Sequence, residues 1–129
     1  TLRKAAWGPV PRGEDAHILL WWSTESPLLA DYTVSVRLLD ADGLPLFAPE
    51  GGLLAQNDEV PAEGERPTTT WQPGEIIFDF HPLAIPETLS PGTYQVGVML
   101  YAWTPETGAD PLPTADGAEW LVAGTLEVE

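Results

Sequence analysis

The chain has 129 residues, with 20 acidic and five basic side chains, and its formal net charge is −15. Nucleic acids and anionic membrane surfaces bind proteins through cationic side chains that displace counterions, so this charge argues against both as partners. The chain contains no cysteine, which removes disulfides, cysteine–zinc sites and thiolate catalysis. With 43% hydrophobic residues, a chain of this length can bury the core of one domain.

No stretch approaches the roughly 20 apolar residues that a membrane-spanning helix requires. No signal peptide is recognisable, and the chain begins with Thr1 rather than methionine. We therefore interpret residues 1–129 as a single domain that is a fragment of a larger protein, and missing targeting signals say nothing about that parent.

Short strands are expected throughout, because fourteen prolines and twelve glycines interrupt the chain. Residues 17–22 (HILLWW) form an apolar run typical of a buried strand. Residues 32–40 alternate between apolar and polar side chains, as a strand with one buried face does. The sequence ADG at 41–43 predicts a hairpin turn, after which a strand in 44–47 or 51–56 should pair back.

The second half continues this pattern. Residues 57–70 predict a long polar loop, and a strand follows in GEIIFDFHPL. Pro82 and Pro86 then confine the next piece to a sheet edge or an extended connection. The alternation predicts Ile76, Phe78 and Phe80 on the inner face of this strand and Glu75, Asp79 and His81 on its outer face. Residues 90–103 form the longest predicted strand, 104–120 a loop or broken hairpin, and 121–129 a closing strand.

Six to eight short strands without a credible helix predict an all-β fold. We expect an antiparallel two-sheet β-sandwich of immunoglobulin- or fibronectin-III-like type. The predicted core draws on both sheets and comprises Val34, Val36, Leu38, Phe78, Phe80, Val96, Val98 and Leu100.

Tryptophan is the most informative residue type, since the chain has six. Exposed aromatic rings stack on sugars, so a carbohydrate-binding platform is one hypothesis. Its candidate residues are Trp21, Trp22, Trp71 and Trp103. Trp21 and Trp22 are adjacent on a predicted strand and must point to opposite faces. The competing interpretation is that such rings fill the core or close its ends, and we interpret Trp71 as an end plug.

No motif in the chain predicts catalysis or a cofactor. His81 shares a predicted strand face with Asp79, but a Gly-x-Ser-x-Gly elbow is missing, so we interpret the two as a surface pair. His17 and His81 lack further ligands at zinc spacing. Walker and GxGxxG loops are absent, and no carboxylate pair is marked out as a glycosidase site. We expect no catalytic, cofactor or dedicated metal site.

The acidic segment at residues 40–43, with Glu50 beyond it, weakly resembles a calcium-binding loop. Such a loop requires oxygen ligands at alternate positions and a glutamate at the twelfth. Counted from Asp40, the fifth position is Leu44 and the twelfth is Gly51. A hairpin turn is the better interpretation, although an incidental surface calcium stays open.

Three segments together resemble a known module: DYTVSVRLLDADG, AQNDEVPAEGERPTTTWQPGEIIFDFHPLAIP and PGTYQVGVMLYAWTPETGADPLP. In order and spacing they are similar to a β-sandwich of bacterial multi-pass membrane proteins that look like dolichyl-phosphate-mannose–protein mannosyltransferases and related lipid-linked-sugar glycosyltransferases. The resemblance runs from about residue 7 to the end and is most specific at PTTTWQPGE and PGTYQVGVMLY. It departs at LFAPEGG, which looks like an insertion in a turn.

The resemblance implies a location outside the cytoplasmic membrane, tethered through the transmembrane part of the parent chain. The catalytic loops of such parents are not in this chain, so no catalytic residue carries over. We expect a non-catalytic accessory or interaction domain whose partner is a glycan or another protein. The alternatives are an independent carbohydrate-binding module and, third, a small hydrolase. The oligomeric state is not predictable from the sequence.

Overall fold

A computed structural model describes residues 1–49, 51–52, 54–114 and 117–129. In this part of the chain, eight strands form two antiparallel sheets packed together, which confirms the predicted β-sandwich. The strands are β1 (Leu2–Ala6), β2 (Asp15–Trp22), β3 (Thr33–Leu39), β4 (Gln56–Glu59), β5 (Ile77–Ala84), β6 (Gly92–Thr104), β7 (Gly108–Pro111) and β8 (Leu121–Val128). A single 3-10 turn, Thr68–Thr70, precedes β5. No helix among these residues is long and apolar enough to cross a bilayer.

The smaller sheet has the order β1-β2-β5, and the larger has the order β4-β3-β6-β7 with β8 also paired to β6. β6 is 13 residues long, which lets its first half pair with β8 and its last residues with β7. β5 runs through Pro82 to Ala84 and lies at the edge of its sheet. A proline is tolerated there because an edge strand does not need every backbone N–H for pairing.

The core lies between the sheets and follows the predicted alternation in β3 and β6. Val34, Val36 and Leu38 are buried from β3, and Val96 and Val98 from β6. Tyr94 and Leu100 are partly buried against the same cluster. Ser35 is also buried although it points away from the core, because it lies under the outer side chains of its own sheet.

The predicted orientation of β5 is wrong by one residue. Phe78 is 49% exposed, whereas Ile77, Asp79 and His81 are buried. The reason is the pairing with β2, which places Ile77 opposite Trp22 and Phe78 opposite Trp21. Residues directly opposite each other share a sheet face, so the inward side chain of Trp22 turns Ile77 inward and Phe78 outward.

Two further segments differ from the prediction. Residues 57–59, expected in a loop, belong to β4 because they pair with β3. β1 was not predicted, and it extends the small sheet beside β2.

The turn at Asp40 is confirmed: the Asp40 carboxylate accepts hydrogen bonds from the N–H groups of Asp42 and Leu44, at 2.9 and 3.0 Å. Glu50 lies outside the described residues.

Candidate functional site

The outward side of the small sheet carries large apolar side chains. We call this surface the aromatic face; it consists of Leu19, Trp21, Phe78, Phe80 and Pro82. The strand pairing places Leu19 opposite Phe80 and Trp21 opposite Phe78. The solvent side of an antiparallel sheet is ordinarily polar. The aromatic face is therefore an apolar stripe across two neighbouring strands, where polar side chains would be ordinary.

The rings of the aromatic face contact one another at an angle. The centroids of Trp21 and Phe78 are 5.2 Å apart with the planes inclined by 58°. His17 meets Phe80 edge-on at 5.5 Å, and the Lys4 ammonium lies 5.0 Å from the centre of the Trp21 ring. A sugar platform needs open ring faces, and Trp21 lies between a cation and a second ring. The geometry favours an irregular apolar surface over a flat platform.

A groove of about 510 Å³ borders the aromatic face where β5 meets the loop after β4. Its lining is formed by Glu59, Val60, Glu63, Gly64, Phe80 and Pro82. The lining therefore combines two glutamates with a phenylalanine and a proline, and among the residues that the structure describes no basic one lines it. Phe80 and Pro82 belong to both surfaces, so the groove and the aromatic face are continuous.

The wall of the groove has an unusual backbone. Ala62 and Glu63 have φ angles of 57° and 56°, in the left-handed region, which costs a residue with a Cβ about 1–2 kcal/mol. A hydrogen bond to the interior stabilises this conformation: the Ala62 N–H donates to the buried Asp79 carboxylate at 2.9 Å. The backbone bond from Gly64 N–H to the Val60 carbonyl, at 3.0 Å, closes the turn.

The Asp79 carboxylate is the centre of a buried polar network. The Trp22 indole N–H donates to it at 3.1 Å, and His81 Nε2 lies 2.7 Å from the same oxygen. His81 Nδ1 contacts the Asn57 side-chain oxygen at 2.6 Å. Asp79 and His81 are 0% exposed, so the expected surface pair is an interior pair. Both ring nitrogens of His81 have partners, and the network joins β2, β4 and β5.

Trp71 closes one end of the sandwich, as predicted. Its ring is 3% exposed within the core cluster and lies 6.4 Å from the Trp22 ring. Its indole N–H donates to the Arg66 carbonyl at 3.0 Å. A cavity of about 360 Å³ adjoins both rings and is otherwise lined mainly by apolar side chains such as Leu28, Leu100 and Leu112.

A salt bridge holds the loop that carries Trp71. The Arg66 guanidinium donates to both oxygens of Glu75, at 3.1 and 2.6 Å. This hydrogen bond, followed by one from the Gln72 N–H, lowers the pKa of Glu75 below its usual value of 4.5. The bridge joins the two ends of the loop, so it restrains the segment from which Trp71 enters the core.

The four tryptophans of the platform hypothesis are not on one surface. Trp22 and Trp71 are buried in the core, each 3% exposed. Trp21 lies on the aromatic face. Trp103 is 64% exposed and lies in the other sheet, where β6 pairs with β7.

The sequence prediction did not identify Phe78, Phe80, Glu59 or Glu63 as surface residues of interest. One signal was available: adjacent tryptophans at 21 and 22 require one ring to face outward, and its cross-strand neighbours must face outward with it. No group of three or more metal-ligating side chains occurs among the residues that the structure describes.

Comparison with protein-family models and with curated proteins finds no match to this chain. The resemblance to glycosyltransferase-associated sandwiches therefore remains a prediction that rests on the three sequence segments. Function has to be argued from the surfaces of the domain itself.

Proposed function

We propose that this domain is a non-catalytic interaction domain that binds a partner protein through the aromatic face. The observation that carries the proposal is the apolar character of the outward side of β2 and β5, where Phe78 is half exposed. Contiguous exposed apolar surface marks protein-interaction sites, and aromatic residues are enriched in the centres of interfaces.

A partner protein suits this surface better than a second copy of the chain. Two copies would each bring a net charge of −15, and repulsion between like charges opposes their association. A partner protein also suits it better than a glycan, because the tilted rings of Trp21 and Phe78 and the overlying Lys4 leave little flat ring surface. Irregular apolar surfaces are instead matched by interdigitating protein side chains.

The sequence resemblance supplies the setting of this proposal. The resemblance implies a location outside the cytoplasmic membrane of a bacterium and attachment to the transmembrane part of a glycosyltransferase-like parent, for which the domain would be an accessory. Sandwiches of immunoglobulin- or fibronectin-III-like type suit such a role because their outer sheet faces are free for contacts. Either the transmembrane part or a separate protein provides the partner surface.

Site-specific photo-crosslinking tests the proposal in cells that produce the full-length parent. A benzoylphenylalanine at position 78 reports on the aromatic face, and one at Trp103 is the matched control on the other sheet. We expect a discrete adduct from position 78 that position 103 does not form, and Trp21→Glu should abolish it. No adduct at 78, or the same adducts at both positions, would argue against the proposal.

The second candidate function is carbohydrate binding, favoured by the 64% exposure of Trp103. Exposed tryptophan emission responds to a stacked sugar, so a fluorescence titration with a panel of oligosaccharides tests it. A saturable change that Trp103→Ala removes would support glycan binding. Unchanged emission across the panel would count against it.

A further inference from the structure

We propose that the groove beside the aromatic face binds a cationic side chain, lysine or arginine, of the partner protein. This inference rests on the proposed function, since it assigns partner chemistry to the same continuous surface. The partner segment would place apolar side chains on Phe78 and Trp21 and its basic side chain between Glu59, Glu63 and Phe80.

Charge complementarity is the first argument. Glu59 and Glu63 line the groove, and no basic residue does so in the described part of the chain, while the whole chain carries a charge of −15. Such a field attracts cations and speeds the approach of a basic partner. A partner that leaves these two carboxylates without cations would desolvate them without compensation.

The aromatic ring is the second argument. Phe80 is shared by the groove and the aromatic face, so a basic side chain entering the groove passes beside it. Lysine and arginine are attracted to aromatic faces, and both bury apolar stems while keeping the charged end near polar groups. Metal ions are a poorer match, because calcium takes six to eight oxygen ligands, whereas this lining includes phenylalanine and proline.

The fixed backbone of the groove wall is the third argument. Glu63 lies in the left-handed turn whose Ala62 N–H is bonded to the buried Asp79. Asp79 is itself held by Trp22 and His81. A wall that is ordered before binding loses little conformational entropy when the partner arrives. The buried network therefore acts as the support that positions Glu63.

Synthetic peptides with acetylated and amidated ends serve as probes. The first alternates lysine and leucine over six residues, the second replaces lysine with glutamate, and the third replaces leucine with serine. Binding is measured by titration of the ¹⁵N-labelled domain, with amide shifts followed in the non-proline residues of 59–64 and in residues 78–81. We expect the lysine–leucine peptide to bind at these amides, the glutamate peptide not to bind, and the serine peptide to bind more weakly.

Two double variants separate the groove from the general acidity of the domain. Glu59→Gln with Glu63→Gln removes two charges from the groove, and Glu106→Gln with Asp110→Asn removes two exposed charges from the β6–β7 hairpin. We expect the groove variant to bind the lysine–leucine peptide about tenfold more weakly, the range for a lost charged hydrogen bond. The hairpin variant should change affinity by less than about twofold. The single variant Glu63→Gln changes an exposed position. It replaces the double variant in the comparison if the double variant does not fold.

The outcomes distinguish this inference from the proposed function. Equal weakening in the groove and hairpin variants would overturn the cation assignment. If Phe78→Ala still weakened binding in that case, the aromatic face would stand as the interaction surface. If Phe78→Ala also had no effect on peptide binding and the crosslinking at position 78 failed, the proposed function would fall as well.

Discussion

Replacing Asp79 with alanine should strongly destabilise the domain, although a sequence pattern places this residue at the surface. The carboxylate accepts from three donors: the Trp22 indole, the Ala62 backbone N–H and His81. Trp22 is 3% and His81 0% exposed, so in the variant the donors of these two side chains have no solvent in direct reach, whereas the Ala62 N–H lies in a partly buried turn. The turn at Ala62 also loses the bond that holds its left-handed conformation.

The magnitude follows from these contacts. Each buried donor left without a partner costs about 1–3 kcal/mol, so the loss of three acceptor contacts costs about 3–9 kcal/mol. The space left by the carboxylate can admit a water that serves some of the donors, so we expect a destabilisation in the lower part of that range, about 3–5 kcal/mol. Against a typical domain stability of about 5–15 kcal/mol, this lowers the Tm by roughly 10–25 °C.

Urea and thermal unfolding, followed by tryptophan fluorescence and circular dichroism, measure this effect. Asp110→Ala is the matched control, because Asp110 is exposed on β7 and should change stability by less than about 0.5 kcal/mol. Asp79→Ala combined with His81→Ala should cost clearly less than the sum of the single variants, since both remove the same interaction. An Asp79→Ala protein that melts within about 2 °C of the wild type would refute the account of the network.

Three other variants test separate parts of the structure. Trp71→Ala should destabilise the domain by about 3–5 kcal/mol, because the ring is buried and its indole N–H donates to the Arg66 carbonyl. A Tm shift under about 2 °C in a thermal melt would contradict the end-plug role. Phe78→Ala should change stability by less than about 1 kcal/mol in the same melt, because the ring is half exposed, and a loss like that of Trp71→Ala would mean that it belongs to the core. The lowered pKa of Glu75 predicts stability that is present above about pH 4.5 and lost as pH falls through the folded-state pKa. Urea titrations between pH 7 and 3 should show a smaller acid loss for Glu75→Gln at low salt, and identical pH profiles would contradict the bridge to Arg66.

Local patterns in the sequence determined the architecture. Proline and glycine spacing excluded long helices, and the alternation in residues 32–40 and 90–103 correctly identified the inward side chains of β3 and β6. The burial of Trp71 was also predictable, because a large aromatic before a Pro-Gly turn lies where a strand enters the sandwich. These features depend on residues close together in the chain.

The orientation of β5 and the surface that follows from it were decided only by tertiary structure. Alternate residues of this strand lie on opposite faces, and the face with Phe78 and Phe80 is more hydrophobic than the face with Asp79 and His81. Asp79 and His81 can be buried because distant residues bring polar groups to them. Trp22, which is 57 residues from Asp79, supplies its indole N–H, and Asn57, which is 24 residues from His81, supplies its side-chain oxygen. A buried polar group is tolerated when it is hydrogen-bonded, and no local pattern reveals partners at that separation. The same pairing turned Phe78 and Phe80 outward and so created the aromatic face and its acidic groove.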